Sequence, residues 1–196
     1  MKIDSLEIAV AIGAASIVGW LVMRALAARP RISRREIVPI PEAKAGERAV
    51  IAGTAQAAEQ PAKALISGET CVLYRVEVQH FVHRDDYEAW DPMLDDESRT
   101  DFVVSDSTGK ATVRGGVATL LAPASLAWNQ AQEGSPVLDL VASRGESTVQ
   151  KIRWRECVVR AGDPVRVRGM VRRDNSFGNE IVIDAPDEGW VEIEPG

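Results

Sequence analysis

Hydrophobic and polar positions change their spacing along this chain. Between Glu7 and Arg24 there is no polar spacing at all, only the sixteen uncharged residues IAVAIGAASIVGWLVM. Carried on to position 28, the apolar segment 8–28 has 21 residues. At about 1.5 Å rise per residue it matches a hydrocarbon core about 30 Å thick. It predicts one N-terminal transmembrane helix, with Arg24 near enough to its end to snorkel to the interface. Beyond position 47 the period becomes two. In 71–82 (CVLYRVEVQHFV), Val72, Tyr74, Val76 and Val78 share one face while Arg75, Glu77 and Gln79 take the other, which predicts a half-buried strand. A shorter strand is expected at 48–55. The segments 102–104 and 111–113 flank an Asp/Thr/Gly turn and predict a hairpin. Further strands are expected at 149–159, 164–172, 179–184 and 190–193, with turns at 162–163 and 178–179. Short strands in succession predict a mainly β fold, an OB-like small barrel or sandwich.

Three stretches break the alternation. Residues 29–47 (RPRISRREIVPIPEAKAGE) hold three prolines and alternating charge, and read as a basic juxtamembrane linker. Residues 84–101 are acidic, contain Pro92, and read as a loop. Residues 115–132 carry no charge, but Pro123, Asn129, Gln130 and Gln132 argue against a second span; a buried loop or short helix is expected. The expected organisation is therefore an anchor at 1–28, a linker at 29–47 and a β domain at 48–194.

Charge gives the anchor a direction. Lys2 is the one basic side chain before the apolar run, against Arg24, Arg29, Arg31, Arg34 and Arg35 at or after its end. That order is the reverse of a cleavable signal peptide. The positive-inside rule then places the N-terminus outside and the β domain in the cytoplasm, at the plasma membrane in a prokaryotic cell. The first 35 residues hold six Lys/Arg and two Asp/Glu, the remainder 17 and 27, so net charges are +4 and −10. An acidic domain argues against nucleic-acid binding, which depends on neutralising phosphates. Behind a basic collar it suits a domain held beside an anionic membrane. Cys71 and Cys157 fall in strand-like runs and are expected to be buried free thiols in a reducing compartment.

Candidate chemistry is sparse. His80 and His83 stand three apart, so on a strand they point to opposite faces and do not share an ion. Asp91, Asp95, Asp96 and Glu97 lack the oxygen-ligand spacing of a calcium loop. There is no G-x-S-x-G, P-loop or dinucleotide fingerprint, and no catalytic residue, metal ligand or cofactor is assigned. A dispersed site gathering His80, Asp106 and Cys157 would be needed for an enzyme. The strongest constellation is basic: Arg153 and Arg155 alternate with Ile152 and Trp154, and Arg166, Arg168 and Arg172 alternate with Val165, Val167 and Val171. If the two strands pair, these five arginines form one interaction stripe for a protein partner or an anionic lipid.

Together these motifs resemble the GIDE domain. The resemblance rests on Arg48-Ala-Val-Ile-Ala-Gly53-Thr-Ala, on 66–78 (ISGETCVLYRVEV), on Phe102-x-x-x-Asp106-x-Thr108-Gly109-x-x-x-Val113, and on Glu156 followed by Gly162-Asp163-x-Val165-x-Val167-x-Gly169. It covers about residues 48–170. The family is known from mitochondrial E3 ubiquitin ligases, in which a zinc-binding RING follows the β domain; shorter prokaryotic relatives carry only the membrane segment and the β domain. A RING needs about eight thiolate or imidazole ligands, whereas this chain holds two Cys and two His, so ligase activity is not carried over. The resemblance implies a single-pass, membrane-anchored binding or scaffold domain. The alternatives are an E3-ligase component without its own RING, or a membrane-protease accessory of the NfeD kind.

Overall fold

The computed structural model describes residues 32–33, 36–84, 86–98, 100–148, 151–174, 180–187 and 189–196. The expected anchor at 8–28 and the turn at 178–179 lie outside the described residues. Among the described residues no helix is long and apolar enough to cross a membrane. The strands, in chain order, are β1 (Arg48–Ala57), β2 (Ala62–Lys63), β3 (Thr70–Cys71), β4 (Leu73–Arg84), β5 (Tyr87–Glu97), β6 (Phe102–Ser105), β7 (Lys110–Val113), β8 (Ala118–Leu120), β9 (Asn129–Gln130), β10 (Ile152–Val159), β11 (Pro164–Asp174), β12 (Glu180–Asp184) and β13 (Val191–Pro195). Among the described residues one α-helix, α1 (Pro136–Ser143), interrupts them.

The fold is mainly β and contains a closed barrel. Strands run in the order β1-β6-β7-β12-β11, and β11 returns to β1 in antiparallel register from Arg48↔Met170 to Thr54↔Pro164. The period of two fills it: Val165, Val167 and Val171 of β11 are buried, while Arg166, Arg168 and Arg172 face outward. Ile51, Phe102, Val113 and Ile183 complete the centre of the core. Two glycines permit the strands to approach so closely. A β-carbon on Gly53 would overlap the carbonyl of Ser105, and one on Gly169 would overlap Ile183. β13 extends the sheet from β11, and β8 pairs parallel to β13.

The second sheet, in the order β5-β4-β10-β9, starts from the same core and leaves it. Leu73, Cys157 and Val159 belong to the barrel core. Further along, Val76, Val78 and Ile152 form a separate cluster with Ile66 and with Val137 and Val141 of α1. The helix starts with Pro136 after Ser135 and ends at Gly145, which takes φ +79°. The Glu146 amide reaches back to the Val141 carbonyl at 3.2 Å, closing a Schellman-type cap.

Several expectations are corrected. The acidic stretch 84–101 is not a loop: most of it is β5, paired with β4 from Arg75↔Glu97 to Arg84↔Tyr87. The register shifts so that Val78 faces Leu94 and Gln79 faces Pro92, leaving Met93 as a bulge. Proline is tolerated there because β5 is an edge strand. The linker expected at 29–47 is folded over its described part. Ile32, Ile40 and Ala43 are buried, Val38 N–H donates to Val50 O at 2.9 Å, and Gly46 N–H to Val171 O at 2.9 Å. Val38 and Ile40 explain this: they pack against the barrel core. The segment 115–132 is partly strand, since β8 is wholly buried.

Candidate binding face on the four-stranded sheet

One face of the second sheet is covered by α1. The other carries polar rows that change character with distance from the barrel. Nearest the core, burial pushes the Cys157 thiol up to about 11, with Glu77 adding to it, so the thiol is neutral. Cys71, also free and buried, is likewise raised by burial. Both cysteines are thus the buried free thiols expected.

The next row is ionic. Arg155 pairs with Glu77 directly across the sheet. Arg75 grips Asp95 with Nε and Nη2 at 2.8 and 2.6 Å, and its Nη1 donates to the Leu120 carbonyl at 2.9 Å. Although burial works the other way, the hydrogen bonds from Arg75 to Asp95 and the surrounding carboxylates hold this guanidinium above its ordinary value.

One row further out no carboxylate stands across the sheet. Arg153 faces Gln79, which faces Pro92. Its Nε and Nη2 both donate to Gln79 Oε1, at 2.9 and 2.6 Å. The guanidinium lies 4.5 Å from the Trp90 ring centroid and 4.6 Å from that of Trp128, which also stacks on Arg155 at 4.6 Å. Burial, and then the charge of Arg155, hold Arg153 below the ordinary arginine value. In the row beyond, Lys151 stands 5.5 Å from the Phe81 ring centroid, and Phe81 packs edge-on against Trp90 at 5.3 Å; past it His83 faces Glu88, 3.3 Å away. Five described arginines are half-buried: Arg75, Arg153, Arg155, Arg166 and Arg168. Four of them pair with a carboxylate; Arg153 does not.

The five sequence-selected arginines do not form one stripe. β10 pairs with β4 and β9, and β11 with β1, β12 and β13. Arg153 and Arg155 therefore lie on the second sheet and the other three on the barrel. On β13, Glu194 stands opposite Arg166 at 3.2 Å and Glu192 opposite Arg168 at 3.0 Å, while Asp184 meets Arg172 at 3.2 Å. Those barrel arginines are matched by cross-strand partners.

The remaining candidates are structural. Asp95 and Asp91 pair with Arg75 and Arg84, and Asp96 pairs with Arg144. Glu97 accepts the Leu120 amide at 3.2 Å, and burial raises its carboxyl above the usual range. Among the described residues no group of three or more His, Cys, Asp or Glu is placed to hold a metal ion. Nor are His80, Asp106 and Cys157 gathered. Cys157 pairs with Arg75, five residues before His80 on β4, a separation of about 17 Å. Asp106 is held in its own turn by the Thr108 and Gly109 amides at 2.6 and 2.8 Å.

Sequence reasoning missed Trp90, Trp128, Gln79, Phe81 and Lys151. Lys151, Arg153 and Arg155 sit at alternate positions, which was a usable signal; the rings stacked on them come from distant segments and leave none. No protein-family model matches the chain, and no curated protein or solved structure proved similar to it.

Proposed function

We propose that the protein is a single-pass, membrane-anchored binding module whose OB-like barrel presents the Trp90/Arg153/Trp128/Arg155 face to a protein partner in the cytoplasm. The observation that carries this reading is Arg153, a half-buried guanidinium between two indoles with no carboxylate partner among the described residues, where its half-buried counterparts all have one. Leaving a cation so placed unpaired costs stability, and a surface that keeps it is poised for a ligand's negative or polar group. Tethering at 8–28 raises the effective concentration at the bilayer, so a modest contact area is enough.

The residues that resemble the GIDE motif support a scaffold rather than a catalyst. Glu156 accepts the amides of Ile66 and Ser67 at 2.8 and 3.0 Å, fixing the loop before β3. Asp106 closes the β6–β7 turn, and Gly53 and Gly169 admit close strand contact. Each builds the fold, and none lies on the Arg153 face.

Reversing charge at an exposed position tests the reading without touching the core. In full-length protein in its native membrane, Lys151→Glu should lose at least ~90% of the partner that the wild type retains after chemical cross-linking, with an unchanged thermal midpoint. Retention of the same partner by the variant contradicts the reading.

A further inference from the structure

The Arg153 row and the Lys151 row of this face define more than a surface. Lys151 and Arg153 stand two residues apart on one side of β10, the first exposed over Phe81, the second clasped between Trp90 and Trp128. Neither forms an ion pair among the described residues. Gln79 occupies Nε and Nη2 of Arg153, while Nη1 has no hydrogen-bond partner among the described residues. The stacked rings and the Gln79 carbonyl hold the guanidinium plane still, so little side-chain freedom is left to lose on binding.

Resting on the reading of this face as the binding surface, we propose that it takes an acidic segment of a protein partner in extended conformation, with two carboxylates two residues apart meeting Lys151 and Arg153. The spacing is the first reason. Side chains on one face of an extended chain recur about every 7 Å, and the two cations share that period because Lys151 continues the register of β10, its carbonyl accepting the Phe81 amide at 2.8 Å. Shape is the second. Lys151 borders a cavity shared with Gln130, Gln132 and Glu133, while Trp90, Gln79 and Arg153 do not line it. The two cations are therefore not enclosed in one pocket of the kind small ligands need, and a chain can lie across both rows.

Charge is the third reason, and it selects against polyanions. The chain from position 36 onward carries −10. The row next to Arg153 already contains Glu77 and Asp95, both engaged by arginines. A nucleic-acid backbone or an anionic bilayer would bring many charges within a Debye length, about 8–10 Å, of these carboxylates. A segment with two carboxylates needs only the two unpaired cations. The Phe81 and Trp90 rings lie against the two cations, and the low dielectric they create strengthens each ionic contact.

The test is a tryptophan-fluorescence titration of the full-length protein in a neutral detergent. The probe is a capped heptapeptide with two glutamates two residues apart in a threonine/valine background, compared with its diglutamine counterpart. The glutamate peptide should bind saturably and at least ~10-fold more tightly than the glutamine peptide, and Lys151→Gln should weaken it by ~10-fold. Equal binding of the two peptides, or no saturable binding of the glutamate peptide, overturns the proposal. So does saturable binding of phosphatidylserine vesicles or inorganic phosphate that the glutamate peptide does not displace. If the peptide fails while Lys151→Glu still loses the membrane partner, the acidic-segment proposal falls and the binding face stands. If Lys151→Glu keeps that partner, the binding face falls with it.

Discussion

At the scale of single residues, the same side-chain types do opposite jobs according to what faces them. Arg155 and Arg153 are two positions apart on β10, yet one meets Glu77 and the other Gln79. That single cross-strand difference separates a closed ion pair from an open cation. Asp106 shows how a polar residue can hold two segments at once. Its Oδ1 accepts the Thr108 and Gly109 amides, and its Oδ2 accepts the Ile40 amide at 3.3 Å, tying the segment before β1 to the β6–β7 turn. Burial would raise this carboxyl, but the bonds from Thr108 and from the Ile40 and Gly109 amides outweigh it and hold it below its ordinary value of 3.8. A carboxyl with a lowered folded pKa contributes stability above its unfolded value and loses it as pH falls through the folded value. Asp106→Asn should therefore be less stable than the wild type at pH 7, and the gap should narrow as pH falls below about 4. Urea midpoints of both proteins measured from pH 7 to pH 2.5 check this; a gap that is constant with pH rules it out.

At the scale of elements, the alternating pattern read well wherever one face of a strand is buried. β1, β4, the β6–β7 hairpin and β10 to β13 all lie where a period of two placed strands. The failures have local physical causes. β5 was hidden by its acids and by Pro92: the acids turned out to be cross-strand partners of arginines, and the proline sits at an edge-strand bulge. α1 is only eight residues long, too short for a strong 3.6-residue period. Its signals were instead Ser135-Pro136 at the start and Gly145 just past the end. The segment 36–47 looks like a linker because it has no regular period, although it packs against the barrel. The candidate site was the least legible part. Arg153 and Arg155 were visible, but the partition of β10 and β11 between two sheets happens at the turn over Gly162-Asp163, and nothing in the alternation records which strands pair.

The docking of α1 can be tested directly. Val141 is 1% exposed and packs with Val76, Val78 and Ile152. Val141→Ala should cost about 1–3 kcal/mol in urea unfolding, from lost apolar transfer and an incompletely collapsed cavity. A loss under ~0.5 kcal/mol would mean that the helix does not cover the sheet.

At the scale of the whole molecule, the acidic part from position 36 onward and the basic first 35 residues divide the charge, and the barrel divides the structural work. Its arginines Arg166, Arg168 and Arg172 are matched by Glu194, Glu192 and Asp184. The second sheet, with one face under α1, leaves its other face open, and no carboxylate stands across the sheet from Arg153. This is the distribution expected of a scaffold that keeps binding groups on a rigid strand and away from the residues that stabilise it. The central claim is that this face, and not the barrel wall, meets the partner. It is tested most directly by site-specific photo-cross-linking of the full-length protein in intact cells. A benzoylphenylalanine replaces Pro92, exposed on β5 in the Arg153 row, or Trp190, which is 53% exposed just before β13. The account predicts a discrete cross-linked product from position 92 that Lys151→Glu abolishes, and none from position 190; the same product from position 190, or one from position 92 that survives Lys151→Glu, contradicts it.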